Sequence, residues 1–310
     1  MKHDIVILGS FVVDLMGRAD HLPKPGETVK GSMFKLGPGG KGSNQGVAAN
    51  RAGANVTMIT KIGDDLFGKV ATDFFEEEGM DTSYVFKDKE IETGTALILV
   101  DENTSQNSIL VTSGACGNIK DEEILKCEDK IKGAKVFLTQ LETNLEAVES
   151  AVDIAKKNNI TTVLNPAPIQ PISDELLSKI DIITPNEVEA SILTGVEITD
   201  MDDAKKAADV FIEKGVNNVI ITMGSQGVYV RCNGEERIIP RYEVDAIDTT
   251  GAGDAFNGGF VTALGEGKGI FEAAEFGNAV GALSVTKIGT APAMPTRDAI
   301  NNFIINNTRN

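Results

Sequence analysis

The sequence predicts an α/β fold in which a mostly parallel central sheet carries helices on both faces, together with a small antiparallel β lid. Three observations point to this fold. Short β-branched runs alternate with amphipathic helical segments, two segments keep strand character without a helix between them, and glycine-rich loops lead into helix-compatible stretches. In a sheet of this kind, ligands bind beyond the carboxyl ends of the strands.

Six β-branched runs supply the predicted central strands. They are DIVILG at 4–9, NVTMITKIG at 55–63, KVFLTQ at 135–140, TTVLN at 161–165, DIITP at 181–185 and NNVIITMG at 217–224. Amphipathic segments near 66–78, 144–158 and 202–215 predict helices between strands. This alternation favours βαβ units and therefore a parallel sheet.

Two segments, 28–36 and 93–112, alternate in the manner of strands but have no helical pattern between them. Such a pattern is typical of a small antiparallel sheet. No linker, repeat or low-complexity stretch divides the chain. We therefore expect a single α/β domain over 1–310, with a lid built from insertions at about 15–36 and 88–112.

Charge and cysteine content restrict the partners of this chain. The 310 residues include 46 acidic and 29 basic side chains, which gives a formal net charge of −17. Nucleic acid and anionic membranes would be repelled, since no basic patch interrupts the acidic background. No apolar run is long enough to span a membrane, and the three cysteines suit a reducing compartment. We expect a cytoplasmic protein that binds small molecules, with no nucleic-acid or membrane partner.

The first glycine-rich stretch is GPGGKGSNQGVAANRAGA at 37–54. It does not have the G-x-x-x-x-G-K-[ST] spacing of a P-loop, because Lys41 is followed by Gly42 and Ser43 in a different arrangement. Either it is a flexible loop before a tightly packed helix, or Asn44 at the helix start presents its amide to a polyhydroxylated ligand. Both interpretations remain open at this point.

The second glycine-rich stretch is DTTGAGDAFNGG at 248–259. The amides of Gly251, Ala252 and Gly253 at a helix start can bind a transferring phosphoryl group. Asp254 would repel that group unless it has a chemical task, such as accepting a proton from an attacking hydroxyl. The alternative is that Asp254 only caps the helix.

Further polar groups follow other predicted strands. Asp14, Glu142, Asn186 and Glu189 lie in such positions, and so does the stretch 222–227, TMGSQG. Each one taken alone is typical of a cap or a surface charge. Their shared position beyond the carboxyl ends of the strands indicates a common site.

The two glycine-rich stretches together resemble the ribokinase family, the PfkB-type carbohydrate kinases. GGKGSNQGVAANRAGA is similar to the first signature of that family, and DTTGAGDAFNGGFV to the second. PKPGET at 23–28, NPAP at 165–168 and TPNEVEA at 184–190 extend the resemblance along nearly the whole chain. The resemblance implies a ribokinase-like fold and ATP-dependent phosphorylation of a sugar.

The resemblance also implies roles for individual residues. Asp254 would be the general base, and Gly251, Ala252 and Gly253 would form the anion hole. The sugar would be bound by Asp14, Gly40, Lys41, Gly42, Asn44 and Glu142 together with Asp254. ATP would contact Asn186, Thr222, Gly224, Ser225, Gly227, Gly253 and Asn278. Asn186 and Glu189 match a motif associated with Mg²⁺, and Asp248, Thr250, Ser284, Lys287 and Gly289 match a loop that binds a monovalent cation, K⁺.

Two positions depart from the family pattern. Val12 stands in GSFVVD where the family has an asparagine that contacts the sugar, and Ala293 stands where the cation loop often has a serine. Ribose is the expected substrate, with another pentose, a hexose such as fructose, 2-keto-3-deoxygluconate, or a nucleoside such as pseudouridine or adenosine as alternatives. A sugar-sensing protein without activity is a further alternative. The apolar segment 93–100 also predicts a homodimer through the lid.

Overall fold

The central element of the protein is a nine-stranded sheet, seen in a computed structural model that describes residues 4–104 and 106–307. Its strands are β1 (Asp4–Leu8), β4 (Asn55–Gly63), β5 (Asp81–Asp88), β8 (Val136–Thr139), β9 (Thr161–Leu164), β10 (Ile182–Ile183), β11 (Asn218–Thr222), β12 (Val228–Cys232) and β13 (Glu235–Ile239). Their spatial order is β13-β12-β11-β10-β9-β8-β1-β4-β5. The seven strands from β11 to β5 run parallel, whereas β12 and β13 add antiparallel strands at one edge.

Helices cover both faces of this sheet. They are α1 (Lys41–Arg51), α2 (Leu66–Glu77), α3 (Asp121–Lys126), α4 (Glu128–Lys132), α5 (Leu145–Lys157), α6 (Asp174–Ser178), α7 (Glu187–Thr194), α8 (Met201–Glu213), α9 (Ala252–Gly265), α10 (Ile270–Ser284) and α11 (Arg297–Asn306). One core packs α1, α2 and α9–α11 against one face of the sheet, and the second packs α3–α8 against the other. The parallel strands are buried on both faces, which explains their nearly continuous apolar sequences.

A second sheet of four strands forms the lid. Its strands are β2 (Val12–Ala19), β3 (Met33–Gly39), β6 (Thr93–Asp101) and β7 (Asn107–Gly114), in the order β3-β2-β6-β7. The pairs β2/β3 and β6/β7 are antiparallel, and β2 joins β6 in parallel at the centre. Ser105, within the expected lid segment, lies outside the described residues, as do residues 1–3 and 308–310.

The fold class expected from the sequence is confirmed. All six predicted central strands are present, and the three predicted helices differ from the observed ones by one or two residues at their ends. The sequence analysis did not identify β5, β12 and β13, and it placed the lid strand β3 a few residues too early. β5 and the outer strand β13 have partly exposed sequences, so the apolar runs that reveal central strands are weaker there.

The strand order determines where a crevice for a ligand lies. From β1 the chain continues to β4 and β5 on one side, whereas β8 and the following strands extend on the other. A reversal of this kind opens a crevice at the carboxyl ends of the strands. Asp14 follows β1 and Glu142 follows β8, so they lie on the two sides of this crevice. Among the described residues, no helix is long and apolar enough to cross a membrane.

Candidate active site

Two glycine-containing helices cross closely and bring the two glycine-rich stretches together. A Cβ on Gly258 of α9 would lie 2.4 Å from Ala48 Cβ and 2.6 Å from the Gln45 carbonyl oxygen of α1. Only glycine permits this approach, because real Cβ atoms do not come so close to backbone. The crossing places the first turn of α9 beside the first turn of α1.

Asp254 lies in the first turn of α9 and is 7% exposed. The N-cap of this helix is Gly251, with a left-handed φ of 79°, and no side chain caps the helix. Asp254 instead accepts hydrogen bonds from the side-chain amides of α1: Asn44 Nδ2 at 3.0 Å and Gln45 Nε2 at 2.9 Å. The alternative interpretation of Asp254 as a helix cap is therefore wrong.

Opposing effects set the protonation of Asp254. Burial raises its pKa above the ordinary value, since a charged carboxylate loses water there. Lys41 and the two amide donors favour the charged form and act in the opposite direction, whereas Glu142 raises the pKa further. The net direction is upward, so Asp254 binds a proton more readily than an exposed aspartate.

A hydrogen bond between Lys41 and Glu142 connects the start of α1 to the segment after β8. The backbone N–H of Lys41 donates to Glu142 Oε2 at 2.8 Å, and the Ser10 hydroxyl donates to the same oxygen. Burial lowers the pKa of Lys41, but Asp254, Glu142 and Glu189 outweigh it and raise the pKa above its usual value. Lys41 is therefore held as a cation among three carboxylates.

The glycines before α1 allow its close approach to the end of β1. Gly40, the N-cap of α1, has a φ of 92°, and a Cβ there would lie 2.9 Å from the Ser10 carbonyl oxygen. A Cβ on Gly42 would lie 2.6 Å from Gly9. Both residues were expected at the sugar, and their immediate structural role is to let α1 pack on this corner.

Asp14 lies on the lid strand β2 and interacts through charge with Glu142 and Asp254. Burial raises its pKa from 3.8 to about 6, and Glu142 and Asp254 add to this shift through charge repulsion. Val12, two residues earlier on the same face of β2, is 4% exposed and contributes an apolar side chain. Strand β2 therefore presents one carboxylate and one apolar side chain on the same face.

A cavity of about 410 Å³ lies between β11, α9 and α10. All seven residues expected at the nucleotide line it: Asn186, Thr222, Gly224, Ser225, Gly227, Gly253 and Asn278. Its other walls are largely apolar and include Val228, Phe256 and Val285. An apolar cavity with a few polar groups is typical of a cofactor site.

A second cavity of about 160 Å³ contains Asp254, Lys41 and Glu189. Asn186, Thr222 and Gly253 line both cavities, so these three residues form their common boundary. A Cβ built on Gly253 would meet no other atom within 4 Å, so nothing obstructs an approach to this part of the backbone. A ligand in the larger cavity can therefore extend past Gly253 toward Asp254.

Asn186 and Glu189 form a capping box at the start of α7. Asn186 Oδ1 accepts from the Glu189 N–H at 2.8 Å, and Glu189 Oε2 accepts from the Asn186 N–H at 2.9 Å. Burial raises the pKa of Glu189. The pair has a structural function. In addition, Asn186 lies at the boundary of the two cavities and Glu189 lines the smaller one. Within 4–104 and 106–307, no cluster of three or more His, Cys, Asp or Glu side chains could hold a metal ion.

The residues expected at a monovalent cation also lie together. Asp248 accepts hydrogen bonds from the Thr250 N–H at 3.0 Å and from the Gly289 N–H at 2.9 Å. The Ser284 carbonyl oxygen accepts from the Lys287 N–H at 3.2 Å. Burial would raise the pKa of Asp248, but these hydrogen bonds outweigh it and lower the pKa. Asp248 thus joins the turn before α9 to the loop after α10 as a carboxylate.

Sequence reasoning missed Gln45 and Asn165, which belong to the buried surroundings of Asp254. Gln45 is adjacent to Asn44 in the first glycine-rich stretch, and Asn165 begins NPAP. Both belong to recognisable motifs, but no local pattern marks either residue as a neighbour of Asp254. Only the tertiary structure reveals their roles, because Gln45 and Asp254 are 209 positions apart.

Comparison with known proteins agrees with the family resemblance of the two glycine-rich stretches. Residues 2–297 match the pfkB family carbohydrate kinases. The chain is 48% identical to a ribokinase of Haemophilus influenzae over 98% of its own length and 99% of that protein, and 37% identical to a deoxyribokinase of Salmonella typhi over 97% and 98%. It superimposes with a TM-score of 0.91 and 28% identity on the structure of an Arabidopsis thaliana ribokinase complexed with ribose and ATP, covering 98% and 99% of the two chains.

Proposed function

Because the chain belongs to the pfkB family of carbohydrate kinases, we propose that it transfers the γ-phosphoryl group of ATP to the primary hydroxyl of ribose. The protein is a sugar kinase. The observation that carries the proposal is the common boundary of the two cavities at Asn186, Thr222 and Gly253. ATP in the larger cavity would direct its terminal phosphate past Gly253 to the buried Asp254.

Asp254 acts as the general base in this proposal. It accepts the proton of the attacking hydroxyl as the bond from oxygen to the γ-phosphorus forms and the bond to the ADP leaving group breaks. In this proposal the first amides of α9 bind the incoming phosphoryl group, because they have no acceptors within the helix. The Ala252 N–H also donates to the Thr249 carbonyl oxygen at 3.2 Å, so the bound phosphoryl group would share or replace this acceptor. Asn257 supports this turn, because its Nδ2 donates to the Gly253 carbonyl oxygen at 2.9 Å.

The sugar would be bound between the lid strand β2 and the start of α1. Carboxylates accept hydrogen bonds from hydroxyl groups, and Asp14 and Glu142 supply them on two sides of the crevice. Asn44 Oδ1, which is buried and has no hydrogen-bond partner among the described residues, offers a further acceptor. Gly40, Lys41 and Gly42 complete the expected sugar-binding segment.

Mg²⁺ fits the boundary of the cavities, with Asn186 and Glu189 as the residues that would hold it. Magnesium is usually bound by one or two carboxylates together with substrate phosphates, so a protein cluster of three acids is not required. When bound, Mg²⁺ neutralises charge on the phosphates. Glu189 is suited to this role because it presents a carboxylate beside Asp254 and Lys41.

K⁺ is the monovalent cation that we propose for the loop formed by Asp248, Thr250, Ser284, Lys287 and Gly289. A carboxylate held in its charged form, with carbonyl oxygens from two loops nearby, suits a hard cation. Asp248 accepts a hydrogen bond from the N–H of Thr250, which is the residue before the Gly251 N-cap of α9. A cation there would stabilise the backbone geometry of the anion hole.

We further propose a single kinase domain that dimerises through its lid and acts in the cytoplasm. The lid exposes large apolar side chains, among them Phe34 at 69% and Leu110 at 63%, and Leu36, Leu97 and Leu99 are also exposed. An exposed apolar surface of this kind is typical of an interface. The three cysteines are free, as expected in a reducing compartment.

A second candidate substrate is 2-deoxyribose, because Val12 favours it. An apolar side chain cannot pair with a sugar hydroxyl, and a deoxyribokinase is among the relatives with 37% identity. A hydroxyl left buried and unpaired costs about 1–3 kcal/mol. If an unpaired hydroxyl limits ribose binding, Val12→Asn should raise kcat/KM for ribose by roughly tenfold.

The experiment is a turnover assay with ATP, Mg²⁺ and a panel of ribose, 2-deoxyribose, fructose and nucleosides. We expect phosphorylation of ribose, and Asp254→Asn should lower kcat by about 10²–10⁴-fold while ATP still binds. Turnover of neither pentose would refute the proposed function. A variant with wild-type kcat would refute the assignment of Asp254.

A further inference from the structure

We propose that Gln45 is a positioning residue that orients Asp254 and holds it ready to accept the proton in phosphoryl transfer. This proposal rests on the proposed kinase function and adds a residue to its mechanism. Gln45 is fully buried and is the fifth residue of α1. It need not touch the sugar or ATP, because its amide reaches the carboxylate of Asp254 directly.

The side-chain amide of Gln45 uses both of its N–H groups on acceptors. Nε2 lies 2.9 Å from Asp254 Oδ1 and 2.9 Å from Asn165 Oδ1. Its Oε1 accepts from Gln140 Nε2 at 2.7 Å. Rotation of the amide by 180° would set its oxygen against two acceptors, so this orientation is the one that satisfies the network.

The direction of the whole amide network follows from one backbone carbonyl. The Thr184 carbonyl oxygen can only accept, so Asn165 must present Nδ2 to it, at 3.0 Å. Asn165 Oδ1 is then left to accept from Gln45, whose own oxygen accepts from Gln140. The network therefore has one polarity, with donors directed toward Asp254. Gln140 Oε1 at its far end has no partner within the described residues.

Asn44 and Gln45 divide the two oxygens of Asp254 between them. Asn44 Nδ2 donates to Oδ2, and Gln45 Nε2 donates to Oδ1. Two donors from adjacent residues fix the plane of the carboxylate, and a fixed plane directs its remaining lone pairs. A misplacement of about 1 Å in a reacting group can cost about 100-fold in rate.

Several charged groups also face Asp254 and must be separated from the effect of Gln45. Lys41 of α1 favours the charged carboxylate, whereas Glu142 after β8 opposes it. Asp14 of β2 and Glu189 of α7 interact with Asp254 through charge as well. None of these four groups is altered by a neutral substitution at Gln45. A change in the pH profile of such a variant therefore reports the lost amide donor.

The test is the pH profile of kcat and kcat/KM for Gln45→Met, a variant of similar length without donors. Loss of one hydrogen bond to a charged group should move the acid limb upward by about 1–2 pH units. Above the limb, kcat should return to within about tenfold of the wild type, and the KM for ATP should stay unchanged. Asp254→Asn should keep its kcat lowered by about 10²–10⁴-fold at every pH.

Gln140→Met is the matched control, because it breaks the network at Gln45 Oε1 but leaves both donors on Asp254. Its acid limb should coincide with that of the wild type. An unshifted limb in Gln45→Met, or equal shifts in both variants, would overturn the proposal. Gln45→Leu is the second variant if the first does not fold, and failure of both to fold would show a purely structural role and also overturn it. Wild-type protein without sugar-kinase activity would instead refute the proposed function.

Discussion

Asp14→Asn should stabilise the ligand-free protein at neutral pH while it weakens sugar binding. Asp14 lies on the lid strand β2, where burial and the carboxylates of Glu142 and Asp254 raise its pKa from 3.8 to about 6. The charged form of Asp14 is therefore less stable in the folded protein than in the unfolded chain. The substitution removes the charge and therefore the free-energy cost of burying it. It also removes an acceptor for a sugar hydroxyl, so sugar binding should weaken.

The magnitude follows from the shift of the pKa. Below pH 3.8 the Asp14 carboxyl is neutral in both folded and unfolded chains, so its ionisation costs nothing. As the pH rises to about 6, the unfolded chain gives up the proton first, and the folded state loses stability. Above that pH the cost is complete, at about 3 kcal/mol for a shift of roughly two pKa units.

The assay is thermal unfolding of the wild type and Asp14→Asn at pH 5 and pH 8, at equal protein concentration. At pH 8 the variant should melt roughly 5 °C higher, and its advantage at pH 5 should be smaller by about half. Asp101→Asn is a control of opposite sign, because hydrogen bonds from Thr104 and Asn103 lower the pKa of Asp101. That variant should be less stable than the wild type at pH 8. An Asp14→Asn advantage that does not grow with pH would refute the reasoning.

Three further predictions concern the cation, the lid and the helix crossing. At constant ionic strength, potassium should raise kcat several-fold over sodium or Tris, and Asp248→Ala should abolish this response; equal rates in all buffers would exclude the loop as an activating site. Leu97→Lys should convert a dimer into a monomer in sedimentation at micromolar concentration, whereas a monomeric wild type would contradict the proposed interface. Gly258→Ala should lower stability by about 2 kcal/mol, because steric overlap with Ala48 outweighs the gain in helix propensity. Gly117→Ala, where the new Cβ would have ordinary contacts, is the control, and equal melting temperatures of the two variants would contradict the crossing argument.

The sequence predicted the parts of this fold that local patterns determine. Helix α2 begins after Asp65, whose side chain caps the Gly68 N–H, and the predicted segment 66–78 differs from the helix by a single residue. The central strands were found because burial on both faces leaves continuous apolar runs. The hairpin of β12 and β13 was missed although the turn at Asn233 and Gly234 has two left-handed residues. That turn is a recognisable hairpin signal that the sequence analysis did not use.

The candidate site could be predicted only as far as its motifs reach. Seven residues expected at the nucleotide line one cavity. Six of them lie next to the end of a strand or the start of a helix, whereas Asn278 comes from the middle of α10. The role of Gln45 was not predictable, since it depends on a partner 209 positions away. The same applies to Gly258, whose importance comes from the distance between two helices. Contacts of this kind carry no local signature in the sequence.

The charges around the site favour a kinase that depends on cations. Lys41 lies among the carboxylates of Asp254, Glu142 and Glu189, and Asp14 adds a further acid, so the negative groups outnumber the positive one. A polyphosphate entering here meets repulsion that the N-terminus of α9 offsets only in part, since a helix end is equivalent to roughly half an elementary charge. The proposed Mg²⁺ at Glu189 would reverse the sign of the local charge where the phosphates pass. If these carboxylates bind the sugar and accept the proton as proposed, we expect nucleotide binding to depend on magnesium.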